Sequence, residues 1–239
     1  MESMIPYLIV LLECTGAVIA AVILGCGAVY CFNRMPAKWF CDYGQDPTPE
    51  MTDPYTQRIK SWPWKVVFTI GFVIIGIMLV RDDVRFAVPA LCTIWLLLEM
   101  AIGDIKYQIV PDQLVVLTAI TAVGYIPYYD DWKHCVFGML IGLGLMGLEA
   151  LIGKVLYRKE TVGGGDIKLF GALGFVLGPY GILIVFVMAT VLAAVHFLTL
   201  TLRKKVKKGA YLPMVPYITA AAAVYLVFLW GVPEVYITL

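Results

Sequence analysis

Long apolar runs are the feature of this sequence that most constrains its fold. We divide them into segments at about 5–32, 63–80, 86–103, 112–127, 134–153, 167–178, 180–201 and 212–232. A helix that crosses a bilayer needs about 20 mostly apolar residues, and several runs approach that length. Because a membrane offers no water to backbone polar groups, such segments are expected to be helical. The sequence therefore predicts an all-α, polytopic integral membrane protein with about eight transmembrane helices.

The composition supports a membrane protein and argues against a soluble protein with a large core. Of the 239 residues, 61% are hydrophobic and 15% are charged. Soluble domains are closer to half apolar and a quarter charged. The formal net charge is only +1, whereas a face that binds nucleic acid needs a basic excess. We therefore expect the lipid bilayer as a partner, and we do not expect nucleic acid.

The basic residues indicate how the chain is oriented in the membrane. Cytoplasmic loops of membrane proteins are enriched in lysine and arginine. If the N-terminus lies outside, the cytoplasmic segments are 33–65, 104–111, 154–168 and 202–211. These segments carry 15 of the 18 basic residues, and the outer loops carry only Arg81, Arg85 and Lys133. The charge pattern therefore predicts an external N-terminus.

The apolar runs and the loops between them divide the chain into three parts. Residues 1–32 form a first transmembrane helix, which we expect to be retained because no lysine or arginine precedes it. Residues 33–62 contain four prolines and no periodic pattern, so they predict an irregular cytoplasmic loop. Residues 63–239 form the membrane-embedded domain.

Glycines predict two features of packing inside that domain. The sequence GPYG at 178–181 separates the sixth and seventh apolar segments and is typical of a tight turn. Gly138 and Gly142 are four residues apart, and Gly171 and Gly174 are three apart, so each pair lies on one helix face. Small residues let helix backbones approach closely in lipid, which favours a packing role for both pairs.

Two aspartates are the strongest candidates for chemistry. Asp104 follows Gly103 and Asp166 follows Gly165, each where an apolar run meets a loop predicted to be cytoplasmic. Ionisable side chains at such places are costly and mark functional sites. Two neighbouring carboxylates share a proton, so one can activate water while the other polarises a carbonyl. The sequence therefore predicts an aspartate pair that hydrolyses a peptide bond.

Residues beside the aspartates are candidate contacts for a substrate. The three glycines before Asp166 remove side chains, so that an extended peptide can approach the carboxylate. Asp112 follows Pro111, and both residue types suit the first turn of a helix, so a direct role for Asp112 is the secondary interpretation. The candidate substrate contacts are Gly163, Gly164, Gly165, Lys106, Lys168 and Asp112.

In combination, the two motifs resemble a known family. Asp104 is followed by Pro111-Asp112, and about 60 residues later by Gly-Gly-Gly-Asp166-Ile-Lys-Leu. This pattern is similar to that of the prepilin peptidases, type IV prepilin leader peptidases that belong to the GxGD-type aspartic membrane proteases. The resemblance covers roughly residues 85–232. It includes the sequence LPMVPY at 212–217, which is similar to the start of the family's last span.

The resemblance implies an activity, a substrate and a location. Asp104 and Asp166 would be the catalytic pair of an aspartic endopeptidase. Its substrates would be type IV prepilins and the precursors of pilin-like secretion proteins, called pseudopilins. The enzyme would remove the basic leader of each precursor. Cleavage would occur at the cytoplasmic face of the bacterial inner membrane. Proteolysis of this type is expected to need neither a metal nor a cofactor.

The N-terminal part departs from the family pattern. Many bacterial members have a cytoplasmic domain with two CxxC pairs, and they methylate the new N-terminus with S-adenosylmethionine. Here Cys31 and Cys41 flank the first loop without such pairs, and two cysteines do not make a zinc site. Residues 33–62 would then be a reduced form of that domain. We expect S-adenosylmethionine only if a methyltransferase activity is retained.

Other functions stay open at this stage. An intramembrane protease of the presenilin and signal-peptide-peptidase type would use the same aspartates but cut within a span of its substrate. A small proton-coupled transporter would use them as ion sites, although such sites usually lie near the bilayer midplane. A structural role is expected for His134 and His196. Acidic residues of the first loop could attract a basic leader; they are Asp42, Asp46, Glu50 and Asp53.

Overall fold

The structure is a computed structural model that describes residues 5–42, 44–53, 56–129, 131–158, 162–204 and 212–232. The α-helices in these ranges are α1 Ile5–Arg34, α2 Pro49–Thr52, α3 Ser61–Asp82, α4 Val84–Tyr107, α5 Asp112–Ile120, α6 Trp132–Tyr157, α7 Gly164–Leu202 and α8 Val215–Val224. Short 3₁₀ helices follow at Ala37–Phe40 and Thr121–Tyr128, and a π-helical turn covers Tyr225–Leu229. These ranges contain no β-strand.

Five helices in the described ranges are long and apolar enough to cross a membrane. They are Leu8–Arg34, Ser61–Asp82, Val84–Tyr107, Trp132–Leu156 and Gly164–Leu202. The prediction of an all-α fold is therefore confirmed, and five of its helices could span a membrane. Five helices meet the length criterion instead of eight because α7 joins the sixth and seventh apolar segments. In addition, the fourth and eighth segments each combine a short α-helix with another helix type.

The chain turns back on itself within α7. Gly178 has φ 72° and ψ −178°, a backbone conformation that is essentially restricted to glycine. The rings of Phe170 and Phe186 lie 6.0 Å apart, although a straight helix would separate these residues by about 24 Å. Helix α7 therefore consists of a first arm, 164–177, and a second arm, 179–202. The turn predicted from the GPYG sequence is confirmed.

Helix α6 packs directly on the first arm of α7 through glycines. A Cβ atom on Gly138 would lie 2.1 Å from the carbonyl oxygen of Gly174. A Cβ atom on Gly142 would lie 2.2 Å from the carbonyl oxygen of Phe170. The two backbones are thus in contact, as expected where small residues drive helix association in lipid. The predicted packing role of the glycine pairs is confirmed.

The chain forms two compact units, residues 1–95 and 96–239. In the first unit α1 packs closely on α3. A Cβ atom on Gly25 would lie 2.4 Å from the Oγ1 atom of Thr69. The indole N–H of Trp95 also donates to the carbonyl of Leu24, at 3.1 Å. The division into three parts that the sequence predicts is not tested by these contacts and stays a prediction.

The loop after α1 is irregular but fixed in place. The Arg58 guanidinium donates to the carbonyls of Met35 and Met51, at 2.7 and 3.0 Å. The Asn33 side chain donates to the carbonyl of Ile59 and accepts from its N–H, at 3.0 and 2.9 Å. These hydrogen bonds satisfy backbone groups that irregular structure leaves unpaired. The loop predicted from prolines is therefore a structured part of the first unit.

We expect Gly138→Ala to destabilise the fold. The added methyl group would overlap the Gly174 carbonyl, and overpacking of this kind costs about 1–3 kcal/mol. The thermal unfolding midpoint in detergent should therefore fall. Gly144→Ala is the matched control on the same helix, because no atom lies within 4 Å of its Cβ position. Equal midpoints for the two variants would contradict the backbone contact between α6 and α7.

Candidate active site

Asp104 lies in the last turn of α4 and is held by the start of α8. Its side chain is 3% exposed. Its Oδ2 atom accepts a hydrogen bond of 3.0 Å from the N–H of Val215, and the Met214 N–H also hydrogen-bonds the carboxylate. The N–H groups of a first helical turn have no partner inside the helix and bind anions readily. This buried carboxylate therefore has backbone donors supplied by a different helix.

Asp166 lies in the first turn of α7. Its side chain is 5% exposed. Gly163 caps the helix, and the backbone N–H of Asp166 donates to its carbonyl at 3.1 Å. The positive end of the helix dipole favours a negative charge at this place. Both predicted aspartates are thus buried acids that lie beside the start of a helix.

Two contacts bring the start of α7 against the chain that follows α4. A Cβ atom on Gly165 would lie 2.9 Å from the Cβ atom of Val110. The Lys168 Nζ atom binds both carboxylate oxygens of Asp112, at 2.8 and 2.9 Å. Asp166 lies between Gly165 and Lys168 in sequence, and Asp104 comes shortly before Val110 and Asp112. Both aspartates therefore lie at the same end of the second unit.

Three of the predicted substrate contacts carry charge, and two of these bind each other. The ion pair between Lys168 and Asp112 ties the start of α7 to the start of α5. Both side chains are partly exposed, at 49% and 40%, so the pair contributes about 0.2–1 kcal/mol. Lys106 lies exposed in the last turn of α4. Their roles as substrate contacts stay predictions.

The three glycines before Asp166 have different surroundings. Gly163 forms the helix cap, with an extended backbone at φ −70° and ψ 143°. Gly164 is exposed, and no atom lies within 4 Å of its Cβ position. Gly165 faces Val110, so its missing side chain serves internal packing. Of the three, Gly164 is the one with open space beside it.

Glu99 is a buried acid that the sequence analysis did not single out. Its side chain is 0% exposed, and neither carboxylate oxygen has a hydrogen-bond partner in the part of the chain that the structure describes. It precedes Asp104 on α4 by about 7.5 Å along the helix axis. A single acid inside the apolar segment 86–103 was the available signal, because intramembrane carboxyl groups are functional candidates.

The contact between α8 and Asp104 was also missed. The sequence marked residues 212–217 as similar to a family motif but gave no contact for them. Both histidines contact aromatic side chains, which agrees with a structural role. The Nδ1 atom of His196 hydrogen-bonds the hydroxyl of Tyr217, and the ring of His134 lies 5.6 Å from that of Tyr129. Within the described ranges, no three His, Cys, Asp or Glu side chains are grouped to hold a metal ion.

A comparison with protein families identifies the segment that carries both aspartates. Residues 90–198 match the type IV leader peptidase family. This part of the chain is therefore similar to that family. The resemblance read from the two aspartate motifs is thereby confirmed. The matched segment also contains α6 and nearly all of α7, which pack on each other through glycines.

Curated relatives carry the name prepilin leader peptidase/N-methyltransferase. The protein from Bacillus subtilis (strain 168) is 30% identical over 145 residues, which cover 60% of this chain and 56% of the relative. The protein from Aeromonas salmonicida (strain A449) is 30% identical over 148 residues, which cover 59% and 49%. The chain thus spans about half the length of the curated relatives it matches. No solved structure matches the chain significantly.

Within the matched segment, Gly165→Ala should perturb the site more than Gly164→Ala. The methyl group on residue 165 would press on Val110 and push the start of α7 away, an overpacking that costs about 1–3 kcal/mol. The same change at residue 164 meets open space. We expect a lower thermal midpoint for Gly165→Ala alone, measured in detergent. A larger loss for Gly164→Ala would show that the packing is assigned to the wrong glycine.

Proposed function

We propose that this chain is a membrane aspartic endopeptidase that removes the basic leader from type IV prepilins and pseudopilins. One observation carries the proposal. Within a segment of the type IV leader peptidase family, two acids are buried at one end of an apolar helical unit. Buried acids at a membrane boundary are costly, which makes them functional candidates. The names of the relatives supply the substrate class.

The proposed reaction uses Asp104 and Asp166 as a pair that shares one proton. The ionised carboxylate accepts a proton from water, and the water oxygen bonds to the carbonyl carbon of the scissile peptide. The protonated carboxyl group donates a hydrogen bond to the carbonyl oxygen, where negative charge develops. The tetrahedral intermediate collapses as the C–N bond breaks, and the leaving nitrogen takes the proton that the first carboxylate had accepted from water, which restores the starting pair. Hydrolysis by this route needs no metal and no cofactor.

The chain around the pair supports this chemistry. The backbone donors at the start of α8 hold the Asp104 carboxylate without a mobile side chain, which keeps a reacting group in one geometry. The open space beside Gly164 lets an extended substrate backbone approach Asp166. Gly163 and Lys106 are proposed as further contacts. Asp112 and Lys168 are proposed to act mainly through each other.

We infer eight membrane crossings for the described helices. The two arms of α7 count separately because the chain reverses at Gly178. Residues 112–128 reach about 30 Å, because a 3₁₀ helix rises about 2.0 Å per residue. Residues 215–229 and the first arm are shorter, so the bilayer would thin around them. With the N-terminus outside, this count places Asp104 and Asp166 at the cytoplasmic face of the inner membrane.

Partners and cofactors follow from the proposed reaction. The partners are prepilin or pseudopilin precursors and the lipid bilayer. Each relative's name includes an N-methyltransferase. We propose S-adenosylmethionine for this chain only in connection with such an activity.

We expect Asp104→Asn and Asp166→Asn each to abolish leader removal. An amide cannot accept the proton from water or share one with its partner, so the rate should fall by at least about 10³-fold. The assay is the mobility shift of a co-expressed prepilin on a gel, with sequencing of the new N-terminus. Cleavage inside the precursor's apolar segment would instead indicate an intramembrane protease of the presenilin type.

Asp131→Asn is the matched control for both variants. Asp131 caps α6 by accepting from the Lys133 N–H, and it is exposed. Asparagine caps a helix about as well as aspartate, so cleavage should stay within about twofold of the wild type. Near wild-type cleavage by either Asp104→Asn or Asp166→Asn, at equal amounts of inserted protein, would reject the proposed pair.

The proposed orientation makes the two ends of α6 distinguishable. In a variant whose six cysteines are replaced by serine, single cysteines are placed at the exposed positions Lys133 and Arg158. A membrane-impermeant thiol reagent should label residue 133 in intact spheroplasts and residue 158 only after permeabilisation, because basic loops stay cytoplasmic. The reverse pattern would place the start of α7, and with it Asp166, on the wrong side.

A further inference from the structure

The first turn of α8 is the tertiary support of Asp104, so whatever fixes that turn also fixes the carboxylate. The Val215 N–H donates to the Asp104 Oδ2 atom at 3.0 Å. Tyr217 follows in the same turn, and its N–H donates to the carbonyl of Met214 at 3.0 Å. A movement of Tyr217 therefore moves the backbone donors of Asp104.

Tyr217 is attached to the second arm of α7. Its hydroxyl group hydrogen-bonds the Nδ1 atom of His196, and the two ring centroids lie 5.7 Å apart. On the α4 side, the Oγ1 atom of Thr219 donates to the carbonyl of Leu97 at 3.0 Å. The start of α8 thus has polar contacts with both α7 and α4.

We propose that the contact between Tyr217 and His196 positions Asp104 for catalysis. The contact fixes the first turn of α8, and that turn presents its N–H groups to the carboxylate. Both residues act through α8 and are positioning residues. The catalytic part of the proposal rests on the proposed peptidase function. The physical basis is the steep dependence of rate on geometry, since a misplacement of about 1 Å at a reacting group can lower a rate by about 100-fold.

A ring contact that only packs α8 against α7 is the competing explanation. Packing would be preserved in Tyr217→Phe, which keeps the ring and removes the hydroxyl group. It would also not distinguish His196→Asn from His196→Leu. Asparagine keeps a polar atom near the Nδ1 position, whereas leucine keeps only the bulk. These two pairs of variants therefore separate the hydrogen bond from the ring contact.

The kinetic test measures kcat and KM for leader removal from a purified prepilin. We expect Tyr217→Phe and His196→Leu each to lower kcat by about 3- to 10-fold, the effect of one lost hydrogen bond. KM should stay within twofold of the wild-type value. The variants displace the Asp104 carboxylate relative to the scissile bond and do not remove a contact that binds the substrate. His196→Asn should retain most of the activity. The double variant should be no slower than either single variant, because both changes remove the same contact.

A second readout does not depend on activity. Amide hydrogen exchange of residues 212–219 should be faster in Tyr217→Phe and in His196→Leu, because exchange reports local opening of the helix start. Tyr180→Phe is the matched control. Tyr180 is similarly half-buried but lies at the turn between the two arms of α7. Exchange at 212–219 and kcat should both be unchanged in that variant.

The outcomes separate this proposal from the proposed function. An active wild type with unchanged kcat and unchanged exchange in Tyr217→Phe would overturn the positioning role and leave the peptidase intact. Reductions in kcat that multiply in the double variant would also overturn it. If the wild type cleaves no prepilin while exchange responds as expected, the positioning of α8 is supported and the proposed function is rejected.

Discussion

The burial of carboxylates inside an apolar helical unit is the constraint on which the site depends. A membrane offers no water to solvate a charge, so the protein itself must supply donors. Helix starts carry N–H groups that lack partners of their own. Asp104 faces the start of α8, and Asp166 lies in the first turn of α7. An acid at a helix start can accept hydrogen bonds from these N–H groups, so the hydrogen-bonding needs of the acid and of the helix are met together.

Close backbone packing keeps those helix starts in place. The contact between Gly138 and Gly174 holds α6 against the first arm of α7, and the reversal at Gly178 brings the second arm back along it. At the other end of that arm, Gly165 lets the backbone approach Val110. A side chain at any of these contacts would move α7 as a rigid element, and Asp166 would move with it. The glycines therefore contribute to the position of the acid as well as to stability.

The sequence predicted the parts of the structure that depend on local chemistry. Apolar length predicted the helices, the GPYG sequence predicted the reversal in α7, and glycine spacing predicted a packing role for both glycine pairs. Contacts that join distant segments were not predictable in this way. The hydrogen bond from Val215 to Asp104 joins residues 111 positions apart. Periodicity reports which face of a helix is apolar but not which helix start will lie beside it.

The candidate site was predictable to a similar extent. The two aspartates could be singled out, because a charge at the end of an apolar run is a strong local signal. The pairing of Lys168 with Asp112 could not, since each residue by itself fits an exposed helix start. The same limit applies to the glycines. Their number was visible in the sequence, but the difference between Gly164 and Gly165 arises from Val110 in the folded chain.

Asp104 and Glu99 show what a helix start contributes to such a site. Both acids lie on α4 in the second unit, and both are buried. Asp104 has backbone donors from α8, whereas Glu99 has no hydrogen-bond partner among the described residues. Their difference therefore comes from the neighbouring helix and not from the burial of α4 itself. It follows that the Asp104 carboxyl group keeps its backbone hydrogen bonds only while α8 begins where it does. Asp166, by contrast, lies in the first turn of its own helix, α7. The two members of the proposed pair therefore depend on different parts of the fold.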